Sequence, residues 1–149
     1  MIKVVIADDS AFLRQVLTDK LEETGKVAVV AAAKNGKEAI ECVKNSTPDV
    51  LILDCEMPVM NGLEALRNIM SACPLPVFMF SSLTSEGSSV TIKALEYGAV
   101  DFLLKPTKGA HAIDDVVNDL VRKLELIVTK SRFAALRSKK KHETVTDRK

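Results

Sequence analysis

Val50-Leu51-Ile52-Leu53-Asp54-Cys55-Glu56-Met57-Pro58 is a short, continuously apolar run that stops at a carboxylate. The chain opens the same way, with Ile2-Lys3-Val4-Val5-Ile6-Ala7-Asp8-Asp9. Runs of this kind fit strands buried on both faces of a parallel sheet, not the alternating pattern of a sheet with one wet face. Two such strands in one sheet can bring three carboxylates to the same edge. Gathered acids repel one another and resist desolvation, so they require a compensating charge, most simply a divalent cation. A nucleophilic carboxylate beside a bound cation is equipped to accept a phosphoryl group.

Working outward, strands are predicted at Lys3–Ala7, Val27–Ala32, Val50–Leu53, Val77–Phe80 and Phe102–Leu104. Amphipathic segments lie between them. Phe12, Val16, Leu17 and Leu21 share one helical face, as do Ala39, Ile40 and Val43. Leu63, Leu66, Ile69 and Met70 form a third face, and Val90, Ala94 and Leu95 a fourth. Ser10 is placed to cap the first helix and Gly25 to end it. A last helix is expected from Ala112 to Thr129, docking through Val116, Val117, Leu120, Leu124 and Ile127 and continuing toward Arg137, with disorder after Ser138. Repeated β-α units of this size predict an α/β fold, a doubly wound parallel sheet with right-handed crossovers.

The 149 residues are 47% hydrophobic, enough for a core, and contain no Trp and one Tyr. Base stacking on nucleic acid is therefore not the expected business of this chain. No apolar run approaches the ~20 residues that span a bilayer, and no signal-peptide core is visible at the start, so a soluble cytoplasmic protein is expected. Cys42, Cys55 and Cys73 fall in no paired spacing and read as reduced thiols. The net charge of +1 conceals a division: residues 1–129 carry −5 and residues 130–149 carry +6. Lys139-Lys140-Lys141 could meet an acidic partner, against the plainer reading of a solvated linker.

Ligands of open α/β sheets collect at the carboxyl ends of the strands. Asp8 and Asp9 end the first strand, Asp54 the third, Ser81 and Ser82 the fourth, and Lys105 the fifth. Packing alone asks for none of these groups. The competing reading is that the aspartates only cap the helices that follow.

Those residues carry a resemblance. Asp8-Asp9-Ser10, Leu53-Asp54-Cys55-Glu56-Met57-Pro58, Asn61-Gly62, Ser81 and Lys105-Pro106 are similar to the motifs of response-regulator receiver domains of two-component signalling. The stretches 53–66, 81–87 and 94–102 more narrowly resemble the receiver of the chemotaxis protein-glutamate methylesterase, the CheB type. The resemblance implies a flavodoxin-like (βα)5 receiver over residues 1–129, with strand order 2-1-3-4-5, followed by a basic extension at 130–149. It implies that Asp54 is the phosphoacceptor, and that Asp9 and Asp54 bind Mg²⁺ directly, Asp8 through water and Glu56 through its backbone carbonyl, with Mn²⁺ as a substitute. By the same resemblance, Lys105 pairs with the phosphoryl group, a cis Lys105–Pro106 bond aims it, and Ser81 and Phe102 form the switch. The implied partners are a histidine kinase of the chemotaxis type and a downstream protein that docks on the face formed by the fourth helix, fifth strand and fifth helix. Glu56 stands where many receivers carry an amide but fits the methylesterase type.

Two alternatives accompany this reading. One is the isolated regulatory domain of a methylesterase. His111 and His142, the only histidines, stand in no triad setting, and His111 reads as a loop residue. The other is an aspartate-nucleophile phosphatase acting on external substrates; such enzymes flank the nucleophile with a second aspartate, whereas Cys55-Glu56 follow Asp54. On the principal reading the chain is not an enzyme with external substrates: it phosphorylates and dephosphorylates itself.

Overall fold

The computed structural model describes residues 1–81, 85–106 and 110–147, with 85–88, 110–111 and 131–147 as backbone. Strands and helices alternate: β1 (Ile2–Ala7), α1 (Ala11–Glu23), β2 (Val27–Ala33), α2 (Gly36–Ser46), β3 (Val50–Asp54), α3 (Gly62–Ala72), β4 (Val77–Ser81), α4 (Ser85–Glu96), β5 (Asp101–Leu104) and α5 (Ala110–Asp147). All strand pairs are parallel, and the sheet order is β2-β1-β3-β4-β5. This is the expected flavodoxin-like arrangement, and each predicted strand lies within a residue of its observed bounds.

The apolar runs exist because the sheet is covered twice. Val4, Ile6, Ile52, Phe78, Phe80 and Leu103 face α1 and α5, whereas Val5, Leu51, Leu53, Val77 and Met79 face α2, α3 and α4. Alternate residues of one strand thus enter separate cores, and both sets must be apolar. Helix starts follow local chemistry: Ser10, Asn35 and Asn61 cap α1, α2 and α3 by accepting from the backbone N–H three residues on. Gly25 follows α1 with φ +72°, a left-handed residue that closes the helix at little steric cost. Arg67 of α3 stacks on Tyr97, just past α4, with its guanidinium carbon 5.2 Å from the ring centre.

Four expectations need correction. Phe12 is 74% exposed, and Leu13 takes its place against the core; α1 meets the sheet along Leu13, Leu17 and Leu21, one helical position round from the predicted stripe. Leu95 is likewise exposed, leaving Val90 and Ala94 to dock α4. His111 lies in the first turn of α5, not in a loop. Where disorder was expected after Ser138, α5 continues as far as Asp147. The Lys, Arg, Ala and Leu that crowd residues 130–141 are strong helix formers, and they carry the helix on from the packed segment that ends near Val128.

Candidate functional site

The ends of β1, β3, β4 and β5 meet at one edge. Carboxylate oxygens of Asp8, Asp9 and Asp54 lie within 4.8 Å of one another. Asp8 and Asp54 are each 1% exposed, while Asp9 is open to solvent. Capping does not account for these acids, because Ser10 caps α1 and Asn61 caps α3. Asp8 Oδ1 instead accepts from Ser10 N at 2.8 Å, and Asp54 Oδ1 accepts from Glu56 N at 3.2 Å. These bonds turn one oxygen of each carboxylate toward its own backbone.

The other oxygens are differently served. Lys105 Nζ stands 2.9 Å from Asp54 Oδ2 and 3.4 Å from Asp8 Oδ2. The alignment makes these ion pairs without satisfying either oxygen as a hydrogen-bond acceptor. Two buried carboxylate oxygens share one ammonium, and a third carboxylate lies beside them. The donor set is all oxygen, negatively charged and partly open, which fits a hard cation that keeps several waters, as Mg²⁺ does. Burial, reinforced by the charge of Asp8 and opposed by Lys105, pushes Asp54 up to about 6. Burial alone would lower Lys105, but its close ion pair with Asp54 and the charge of Asp8 outweigh it, and its pKa is raised. Lys105 therefore stays cationic.

The backbone that presents Asp54 is tightly held. Gly62 N donates to Cys55 O at 3.0 Å, and Gly36 N to Met60 O at 2.9 Å. A Cβ at Gly62 would fall inside the Asp54 carbonyl oxygen and 2.9 Å from the Cys55 Cα, so glycine is what allows α3 to start against the acid-bearing strand end. Within this loop Val59 holds φ +68°, a strained setting for a β-branched residue. A cavity of about 590 Å³ opens beside the acids, lined by Asp9, Cys55, Glu56, Met57, Leu63 and Val90 among others. Burial first, then the charge of Asp54, pushes the Cys55 thiol up to about 12, so it is a protonated thiol and a poor nucleophile.

Ser81 ends β4 and is 5% exposed. Ser82 lies outside the described residues. Phe102 is half-buried and packs on the α2–α4 side of the sheet. Lys105–Pro106 is trans, since no cis bond occurs among the described residues; the ammonium reaches both acids from the end of β5 in that form. Sequence reasoning overlooked Arg14, whose Nη1 donates to Asp8 O at 2.6 Å and braces the Asp8-Asp9 turn from α1. Its only signal was a cation on the first helix, six positions beyond the acids.

Comparison with known proteins agrees with this geometry. Residues 4–117 match the response regulator receiver domain. A protein-glutamate methylesterase/protein-glutamine glutaminase of Bacillus licheniformis is 51% identical over 76% of this chain and 32% of its own length. One from Pyrococcus horikoshii is 47% identical over 91% of this chain and 38% of its own. The chain thus spans about a third of the length of these relatives. Among solved structures, the response regulator domain of Thermotoga maritima CheB superposes with a TM-score of 0.79 at 43% identity, over 87% of this chain and 97% of that one.

Proposed function

This chain belongs to the response regulator receiver family, and from that premise we propose that Asp54 takes a phosphoryl group from a histidine kinase of the chemotaxis type. The carrying observation is the convergence of Asp8, Asp9 and Asp54 within 4.8 Å, with Lys105 2.9 Å from the Asp54 carboxylate. Asp9 and Asp54 would hold Mg²⁺ directly, Asp8 through water, and the Glu56 carbonyl would complete the protein ligands; Mn²⁺ would serve in its place. When bound, the ion supplies charge neutralisation of the phosphoryl oxygens and alignment of attacking and leaving groups. An Asp54 oxygen attacks phosphorus, the P–N bond of the donor phosphohistidine breaks, and the product is an acyl phosphate. Lys105 pairs with the transferred group, and Ser81 donates to one of its oxygens. Water later cleaves the acyl phosphate, restoring Asp54 and releasing inorganic phosphate.

Phosphorylation adds roughly −1.5 to −2 charges at the sheet edge. Ser81 turns toward them and Phe102 moves into the space it leaves, which repacks the α4-β5-α5 face. That face is suited to a protein partner, since Ile92, Leu95, Val100 and Leu104 are all exposed there. In this reading residues 1–129 are the switch and 130–149 a basic extension, in a cytoplasmic chemotaxis pathway. No helix of the described residues is long and apolar enough to cross a membrane.

A second reading, the regulatory part of a methylesterase, is supported by the identity of the relatives above. Both share the chemistry at Asp54, and one experiment tests it. Incubation with acetyl phosphate and Mg²⁺ should add the mass of one phosphate, and Asp54→Asn should add none. A wild-type chain that gains no mass refutes the proposal. Rapid release of many phosphates per chain from external monoesters would instead indicate a phosphatase.

A further inference from the structure

We propose that Arg14 is a positioning residue for the acid site: by holding the Asp8 carbonyl it sets the direction in which Asp9 presents its carboxylate to the cation. The proposal rests on the reading of the three acids as a cation site and adds to it a residue from α1. Arg14 Nη1 donates to Asp8 O at 2.6 Å. β1 ends at Ala7 and its partner β2 at Ala33. The Asp8 amide still reaches the ladder, donating to Ala33 O at 3.0 Å. Among the described residues no backbone amide meets the Asp8 carbonyl. The guanidinium takes that place, and a charged donor makes the bond a strong one. The Asp8 carbonyl and the Asp9 amide belong to one planar peptide unit. Fixing the carbonyl therefore fixes the direction in which Asp9 leaves that plane.

Asp9 depends on this more than its neighbours do. The Asp8 carboxylate has its own restraints, the Ser10 N–H on one oxygen and Lys105 on the other. Asp54 is likewise held by the Glu56 N–H and by Lys105. Asp9 is exposed, and among the described residues no hydrogen bond or ion pair holds its carboxylate. It nevertheless comes within 4.8 Å of the other two, so its backbone is what places it. Arg14 is firmly based: its N–H donates to Ser10 O at 3.0 Å and its carbonyl accepts from Thr18 Oγ1 at 2.7 Å. Leu13 and Leu17, on the same helix, pack into the core. No carboxylate pairs with Arg14 among the described residues. Its charge rests on a carbonyl, and Asp8 Oδ2 and Asp54 Oδ2 stay without hydrogen bonds. As a charge alone, Arg14 would oppose a bound cation; as a brace for Asp9 it favours one. The two roles predict effects of opposite sign.

The test measures cation binding by the full chain, with no phosphodonor present. Arg14→Met keeps the apolar stem and loses every donor, whereas Arg14→Lys keeps an ammonium that can meet the carbonyl. Mn²⁺ binding is followed by electron paramagnetic resonance, and Mg²⁺ by competition against it. Arg14→Met should bind both ions about tenfold more weakly than wild type, the scale of lost outer support for a metal ligand, and Arg14→Lys should fall between the two. In an Asp9→Asn background, Arg14→Met should change affinity by less than about twofold, because the group it positions is gone. Urea denaturation in EDTA gives the stability of each variant separately. A loss of stability with cation affinity unchanged makes Arg14 purely structural and overturns the proposal. Tighter binding in Arg14→Met overturns it in favour of simple charge repulsion. A loss as large in the Asp9→Asn background as in the wild-type background overturns the route through Asp9. A wild type that binds neither ion removes the cation site and this proposal with it; a wild type that binds no better than Arg14→Met leaves the site standing and removes this proposal alone.

Discussion

Asp54→Asn should make the metal-free protein more stable at neutral pH, although it destroys the proposed phosphoacceptor. The Asp54 carboxyl is pushed from 3.8 to about 6 by burial and by Asp8, so the folded state binds its proton more tightly than the unfolded chain does. The stability this proton contributes is complete below the unfolded value and is lost as pH rises through about 6. A difference of about two units corresponds to about 3 kcal/mol at pH 7. Solvent at the open mouth of the site screens part of this, leaving about 1–2 kcal/mol of destabilisation carried by the ionised group. The asparagine has the same shape and no charge, and Lys105 keeps Asp8 3.4 Å away as a partner. Urea denaturation in EDTA should therefore show the variant ahead by about 1–2 kcal/mol at pH 7.5, with the gap closing toward pH 4. Adding Mg²⁺ should reverse the order. Ligand at a hundred times its Kd stabilises by about 2.7 kcal/mol, and the variant has lost one carboxylate ligand. A stability difference that stays constant from pH 4 to pH 8 would refute the assignment of the shift to Asp54. Equal stabilisation of both proteins by Mg²⁺ would refute its place among the ligands.

Two further predictions concern the scaffold. Gly62→Ala sets a methyl group against the Asp54 carbonyl and the Cys55 Cα; overpacking of this kind should cost about 1–3 kcal/mol, and the displaced strand end should slow labelling by acetyl phosphate by about a hundredfold. Leu17→Ala, at a fully buried position, should cost about 2–5 kcal/mol in urea, whereas Phe12→Ser, at a position 74% exposed, should stay within about 0.5 kcal/mol of wild type. Similar losses from both substitutions would contradict the corrected orientation of α1.

The acids, the serine and the lysine were legible because each ends an apolar run where packing has no use for it. A charged residue at the close of a buried strand announces both the strand and its edge, and five parallel strands leave few ways to arrange those edges. The register of α1 was not legible. Phe12 and Leu13 are adjacent on a helix, either could begin an apolar stripe, and only the placement of α1 on the sheet decides that Leu13 docks. The end of α5 was misjudged because a charged, basic composition was taken as a sign of disorder, although the same residues favour helix. The trans Lys105–Pro106 bond shows the limit of resemblance: motifs name the residues at the strand ends, and the backbone isomer between two of them is not written in those motifs.

The stacking of Arg67 on Tyr97 joins α3 to the end of α4, and the chain has one Tyr and no Trp. Excited beyond the phenylalanine absorption band, this protein emits from a single ring, seated where α4 meets α3. The molecule carries its own optical probe of that junction, and a shift of α4 against α3 would be seen as a change in brightness without any dye being attached.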